Sequence, residues 1–481
     1  MKNIFKTLIF AFSLLLVQSC DKELIQLPNN SLSPSTYYNT SADFETAMLG
    51  VYSGFLFNTD GTGVYYGASL LSLPDIMTNN VILAQAGRRS NQSFHEWRHS
   101  PNLSWDMMSD PYIVTNRANL IIDNLYKLPD GDEKDNFEGE ARAARALALF
   151  DLLKVFSKIP TQSSDANSAL GMPIITEVDP AIRKLRPTVA ESYDFVISEL
   201  EAAKSLVNAD NGVGRFNKNA VNALLSRAYL YTGQYDLAVN AANDVTKTVA
   251  TISNFPQVWV DSSEDGVIFK INQDRILDGI GIGIEWSQSV NNTVIPEYVM
   301  EFDLFNMYDA SDIRKTTYTQ TLADSDGNLY NAITKMFGEA GQNNGAVDPK
   351  IIRAAEVYLN KAEAYAMMTG KDAEALIALD VVRANRYSNF VSGGETGTAL
   401  LNAIKKERRL ELFAEGHYFF DVKRWREGIS RSATNGEFFD GTGTPLQSAY
   451  LNLSAGSYLF ELPIPQDERN TYPEFQQNPG Y

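Results

Sequence analysis

Residues 401–426 read LNAIKKERRLELFAEGHYFFDVKRWR, and this stretch decides how the rest of the chain is read. The good helix formers of LNAIKK predict a helix that runs to Gly416, a residue suited to a left-handed C-terminal cap. Leu401, Ile404, Arg408 and Leu412 recur at spacings of three and four, which sets an arginine inside an apolar stripe. Glu407, Glu411 and Glu415 form a column of like charge that an isolated helix disfavours. The column makes sense if Arg408, Arg409, Lys423, Arg424 or Arg426 fold back to pair with it. Tyr418, Phe419, Phe420, Val422 and Trp425 would then seal those pairs from water. Glu407 and Glu411 as a general acid and base is the alternative, but carboxylates amid so many cations read first as structural ion pairs.

The same stretch resembles the signature of the SusD/RagB family of outer-membrane nutrient-binding lipoproteins. Glu407-Arg408-Arg409, Glu411-Leu412, Glu415-Gly416, Phe420-Asp421 and Arg424-Trp425 stand where that pattern expects them. Three more segments are similar to the family: FEGEARAARALALFDLLKVFSKIP (137–160), RAAEVYLNKAEAYAMMTG (353–370) and LPIPQDERNTYPEFQQNPGY (462–481). The first departs at Ala148-Leu149, where aromatics are usual, and at Ser157, where glycine is common. The last has Thr471-Tyr472-Pro473 in place of an asparagine before the proline. The resemblance implies a mostly α fold, a tetratricopeptide-like helical-repeat scaffold with a loop-rich, partly β ligand face. It also implies capture of a nutrient, usually a glycan and exceptionally a peptide, for a SusC-like TonB-dependent outer-membrane channel. No cofactor is implied.

The totals agree with a secreted globular body. The chain has 481 residues, 44% of them hydrophobic and 11% aromatic, enough for a sizeable core. Its formal charge is −18, and removing residues 1–20 with Lys2 and Lys6 takes it to −20. Such a balance argues against nucleic acid and against electrostatic docking on anionic lipid. The sole cysteine, Cys20, excludes an intramolecular disulfide. It follows a charged n-region and the apolar run Leu8–Val17, and Val17-Gln18-Ser19-Cys20 suits a lipoprotein signal peptidase. We therefore expect a signal peptide over 1–20, lipid on Cys20, a tether over 21–40 and a body over 41–481. The body divides into an N-terminal part to about 250 and a C-terminal part from about 251. Together with the lipid anchor, the resemblance implies a location at the outer membrane, facing outward.

Along the body, Ser41 is expected to cap a helix over 42–56, and helical periodicity returns over 111–128, 137–156 and 189–207. Residues 219–248 and 352–386 read as two helical hairpins turning at Thr232-Gly233 and Thr369-Gly370. Turn residues dominate 58–101, with at most a short helix, and residues 252–347 are long connections with β-like runs such as Gly266–Ile271.

His95-Glu96-Trp97-Arg98-His99 matches HExxH, but Gln92-Ser93 before it and Ser100-Pro101 after it leave too short a helix, and no third zinc ligand is identifiable. Asp324-Ser325-Asp326-Gly327-Asn328 hints at a calcium loop, yet Leu329 and Lys335 occupy the positions of an EF-hand's glycine and glutamate. No phosphate-binding glycine loop or GxSxG elbow occurs. We expect no metal and no catalysis. Trp425 and Trp105 are expected to pack inside, whereas Trp97 and Trp286 lie in polar, turn-rich segments. Their faces can stack on pyranose rings while Asp75, Asn79 and Arg88 hold hydroxyls, a candidate ligand set. A secreted hydrolase using HEWRH or paired glutamates, and a channel lid with no strong ligand site, are the alternatives.

Overall fold

The computed structural model describes residues 37–56, 65–179, 181–273, 281–290, 293–338 and 345–481. Cys20 and the expected signal peptide lie outside these residues.

Helices dominate. The N-terminal part carries α1 (Ser41–Ser53), α2 (Ser69–Ile76), α3 (Ser109–Asn124), α4 (Asp132–Phe156) and α5 (Val189–Leu206), then the hairpin α6 (Lys218–Tyr231) and α7 (Tyr235–Asn243). The C-terminal part carries the hairpin α8 (Ala354–Ala366) and α9 (Asp372–Ala384), followed by α10 (Gly397–Glu411) and α11 (Tyr418–Arg424). Thr40, not Ser41, caps α1, in a reciprocal pair with Asp43. Both expected hairpins form, and Gly233 and Gly370 take the positive φ that their turns require. Helix α7 packs on α8, so the two hairpins stack in tetratricopeptide fashion across more than a hundred residues of intervening chain.

The β structure is slight. Strands β1 (Val81–Leu83), β3 (Tyr298–Met300), β4 (Thr319–Ala323) and β5 (Leu329–Ile333) form one sheet in the order β1-β3-β5-β4, while β2 (Val267–Lys270) pairs with β6 (Lys350–Arg353). The segment 58–101 is therefore more regular than turn composition implies, since it contains α2 and β1. Strand β1 lies antiparallel to β3, with Val81 opposite Met300 and Leu83 opposite Tyr298. That pairing draws two loop regions some two hundred residues apart onto one face.

Residues 401–426 fold as a helix, a turn and a second helix, and their ion pairs differ from the expected ones. Helix α10 stops at Glu411, five residues before Gly416. Its last carbonyls are taken by side chains: Tyr308 Oη donates to Leu410 at 2.9 Å, Tyr318 Oη to Glu411 at 2.8 Å, and Arg353 Nη2 to Glu411 at 3.0 Å. Gly416 has φ 79° in the following turn, and a Cβ there would lie 2.3 Å from the carbonyl oxygen of Leu70, so the turn can press on α2 only without a side chain.

The glutamate column pairs with distant cations. Glu411 receives Arg353 at 2.7 Å, Arg386 at 2.8 Å and Arg314 at 3.1 Å. Glu407 meets Arg314 at 2.6 Å, and Glu415 meets Arg353 at 2.6 Å and Lys335 at 2.7 Å. With Asp312 on Arg314, these buried acids and bases balance in charge. Phe255, Trp259 and Tyr318 cover the cations, with Arg386 3.9 Å from the Phe255 ring centre and Lys335 3.9 Å from that of Tyr318. Burial disfavours ionisation of Glu411, but Arg386 and Arg353 outweigh it and hold the carboxyl well below the usual carboxylate range. The local cations have other duties. Arg408 binds Asp421 at 2.8 Å and Asn360 at 2.7 Å, and Arg424 binds Glu363 at 2.7 Å. Lys423 donates to the carbonyls of Lys154 and Ser157 at 3.0 and 2.6 Å, closing the C-terminal end of α4.

The four segments singled out in the sequence thus meet. Leu462 N donates to Val155 O at 3.0 Å and Asn478 Nδ2 to Phe156 O at 2.8 Å, so the tail docks on the same end of α4 that Lys423 caps.

Candidate functional site

The β1–β3 pairing builds a face from residues 79–98, 281–290 and 293–298, and a buried carboxylate ties it together. Glu297 accepts from Arg88 Nε at 2.9 Å, from the backbone N–H of Arg88 at 3.1 Å and of Ser90 at 3.4 Å, and from Gln288 Nε2. Burial opposes its charge, yet Arg88 keeps the carboxyl below its ordinary range. Beside it Glu285 accepts from Ser72 Oγ at 3.1 Å and Asn91 Nδ2 at 3.2 Å, and burial pushes this carboxyl up. Tyr298 Oη donates to Ser90 O at 2.6 Å, closing the loop down. The result is a pinned polar surface with the Arg88 side chain 54% exposed at its rim.

The five residues expected to form a ligand set converge on this region, but three turn inward. Trp286 is wholly buried, its ring centre 6.3 Å from that of Phe413. Trp97 is buried too; its Nε1 donates to Met77 O at 2.8 Å and the Arg431 guanidinium lies 4.0 Å from its ring centre. Asp75 accepts from Asn80 Nδ2 and, at 3.1 Å, from Ala414 N, and burial pushes its carboxyl up to about 7. The expected free indole faces are thus covered. Helix α2 carries Asp75 into the core and Met77 just after it receives Trp97, while Trp286 packs near Phe413. Asn79 remains half-buried, with its carbonyl accepting from Arg409 Nη2 at 2.9 Å. Only Arg88 and Asn79 keep surface for a ligand.

Glu285, Glu297 and Arg431 were missed. Each is a single charged residue without a motif; Glu285 beside Trp286 in a glycine-rich run was the sole hint, and burial there could not be foreseen.

The alternative chemistries find no support in the geometry. The helix through HEWRH spans only Gln92–His95, and Trp97 has φ 51°, so the two histidines do not share a helical face. His95 Nδ1 lies 2.7 Å from Ile76 O, while the His99 ring packs near Phe94 and Tyr481. Glu407 and Glu411 are sealed beneath the cations described above and offer a substrate no approach. Asp324 spends its oxygens on Asp326 N, the Asn328 backbone and side chain, and Tyr330 Oη, which is a turn and not a cation loop. Among the described residues no group of three or more His, Cys, Asp or Glu is arranged to hold a metal ion. Trp105 is buried as expected, with Nε1 2.8 Å from Ser69 Oγ. Trp425, expected in the core, is instead half-buried at a surface groove.

Comparison with known proteins accords with this architecture. Residues 330–481 match the model of the SusD family, and residues 37–230 match a SusD-like model described as starch-binding and associating with the outer membrane. A SusD-like protein of Formosa agariphila is 25% identical, with 98% of this chain and 99% of that protein covered. A SusD superfamily protein from Bacteroides thetaiotaomicron superposes with a TM-score of 0.79 at 26% identity, over 92% of this chain and 100% of that one. Surface glycan-binding protein A from Bacteroides uniformis shares the fold, with a TM-score of 0.71 at 19% identity over 91% of this chain and 99% of its own. Two family models that together take in both halves of the chain, and relatives that run its whole length, lead to one conclusion: this chain belongs to the SusD/RagB family.

Proposed function

We propose that the protein captures a glycan at the cell surface and passes it to a SusC-like TonB-dependent outer-membrane channel, remaining anchored through lipid on Cys20. The observation that carries this reading is the face pinned by Glu297, where segments distant in sequence are held rigid around an exposed guanidinium. A preorganised polar surface loses little entropy on meeting hydroxyls, and Arg88 and Asn79 are the side chains that would hold them. Trp97 and Trp286 act beneath it, keeping the face in shape. The family's description as starch-binding and outer-membrane-associated and the name of the Bacteroides uniformis protein support glycan as the cargo. The reading includes no bond-breaking step. A shallow, solvent-competed surface implies weak affinity, of order 10–1000 μM, which also suits release to a channel.

The test is native affinity electrophoresis of the full protein against a panel of polysaccharides, with Arg88→Ala alongside, and co-purification of the channel from the native membrane. Retardation by one polysaccharide that Arg88→Ala abolishes is the expected result. No retardation by any glycan, with the channel still co-purifying, would leave the lid reading in its place.

A further inference from the structure

Trp425, the one tryptophan that is not buried, lies elsewhere, with the Arg424 guanidinium 5.0 Å from its ring centre. A groove of about 360 Å³ opens beside the α6–α7 turn, the end of α8, α10 and α11, and is lined by Tyr235, Leu401, Lys405, Arg424, Trp425 and Arg426, among others. That volume is at the small end for a ligand site. Trp425 Nε1 donates to Glu363 Oε1 at 2.8 Å, which fixes the indole plane. Glu363 is otherwise consumed by Arg424, so the one acidic side chain lining the groove is already neutralised. Lys405 Nζ sits 5.0 Å from the Trp425 ring centre and 2.6 Å from Glu427 at the rim. Arg426 is exposed and has φ 61°, a left-handed backbone that a non-glycine residue adopts at some strain. Its Nε donates to Thr161 O at 2.6 Å, which sets the guanidinium at the mouth of the groove, and its terminal nitrogens make no hydrogen bond among the described residues. Arg424 is paired with Glu363 and Asp421 and Lys405 with Glu427, so the cation of this lining that stays available to a ligand is Arg426, on a chain of net charge −18.

We propose that this groove is a second ligand site and takes a saccharide unit bearing one anionic group, a uronate carboxylate or a sulfate ester. The apolar face of the sugar rests against Trp425 and Tyr235. The anion meets the free edge of Arg426, whose paired N–H donors match either oxyanion, with Lys405 beside it. The saccharide nature of the ligand rests on the glycan-binding reading above; the demand for negative charge rests on this groove alone.

The test is calorimetric titration of the full protein with a uronate-containing disaccharide, a sulfated neutral disaccharide and an uncharged disaccharide. Arg426→Gly removes the guanidinium while relieving the backbone, so it is expected to fold; Lys405→Ala is the second variant. At least one charged probe should bind at least tenfold more tightly than the uncharged one, and Arg426→Gly should lose at least tenfold of that affinity. Binding should also weaken as salt is raised. The tighter of the two charged probes identifies the anion. Equal affinity for charged and uncharged probes, no binding of either charged probe, or unchanged affinity in both variants would overturn the proposal. Charged-probe binding that survives Arg426→Gly but vanishes in Arg88→Ala would also overturn it and return the ligand to the first face. Polysaccharide retention that is absent at the first face, with Arg426-dependent binding intact, would instead remove only the primary reading.

Discussion

Replacing Glu411 by glutamine keeps the shape of the side chain and removes one negative charge from the buried knot. Arg314, Arg353 and Arg386 then share an environment in which cations outnumber carboxylates by one, without water to relieve the excess. Removing one partner of such a pair destabilises by about 3–5 kcal/mol, because a buried charge is left uncompensated. Unfolding entropy of about 2 cal/mol/K per residue makes a body of roughly 400 residues lose about 1 °C of midpoint per kcal/mol, so the expected fall is about 3–5 °C. Scanning calorimetry at pH 7.5 measures it, with Asp244→Asn as the control. Asp244 pairs with Lys204 at 2.7 Å, but Asp244 is exposed and Lys204 only half-buried, and such a surface pair contributes less than about 1 kcal/mol. The double variant Glu411→Gln/Arg386→Gln should be more stable than the sum of its single effects implies, by about 1–3 kcal/mol. The sign with pH is also fixed. The Glu411 carboxyl is depressed in the fold, so its contribution is present above the unfolded value and is lost as pH falls toward the folded one. If Glu411→Gln shifts the midpoint no more than Asp244→Asn does, or if the double variant is simply additive, the knot does not hold the fold as argued.

Three further outcomes are expected. Trp286→Ala should cost about 3–5 kcal/mol through loss of a wholly buried ring, visible as a lowered thermal midpoint before any change in ligand affinity. Asp75 should make the protein less stable as pH rises from about 4 to about 7: its folded carboxyl is pushed up to about 7, so the penalty for burying the charge appears over that window. Comparing the urea midpoints of wild type and Asp75→Asn across it should give a pH-dependent difference, and a flat one would contradict the assignment. Cys20→Ala should release the protein from the membrane fraction, because without acyl chains the anchoring energy of about 0.8 kcal/mol per buried methylene is gone; a variant still processed and membrane-bound would count against lipidation.

Helical content was legible because period and caps are local: both hairpins turn where glycine permits, and α4 and α5 end within a residue of their expected stops. Partner choice was not. Glu411 reads as needing a cation, but its cations come from β6, from residue 314 and from residue 386, which no local pattern links to it. The same limit inverted the tryptophans. Polar neighbours in sequence implied exposure for Trp97 and Trp286, while Met77 and Arg431 against the first and Phe413 against the second, all outside those segments, accompany their burial. Aromatic neighbours implied burial for Trp425, yet α11 ends there and its indole reaches the edge. The two loop regions singled out in the sequence do meet in the fold, and which of their atoms face solvent depends on tertiary contacts.

Hydrogen–deuterium exchange of the full-length protein, with and without the polysaccharide that retards it in the gel, tests the glycan-capture claim most directly. Slowed exchange at residues 79–91 and 284–298, absent in Arg88→Ala, is the expected result. Saturating glycan that leaves those segments unchanged, or that protects only a different surface, would contradict it.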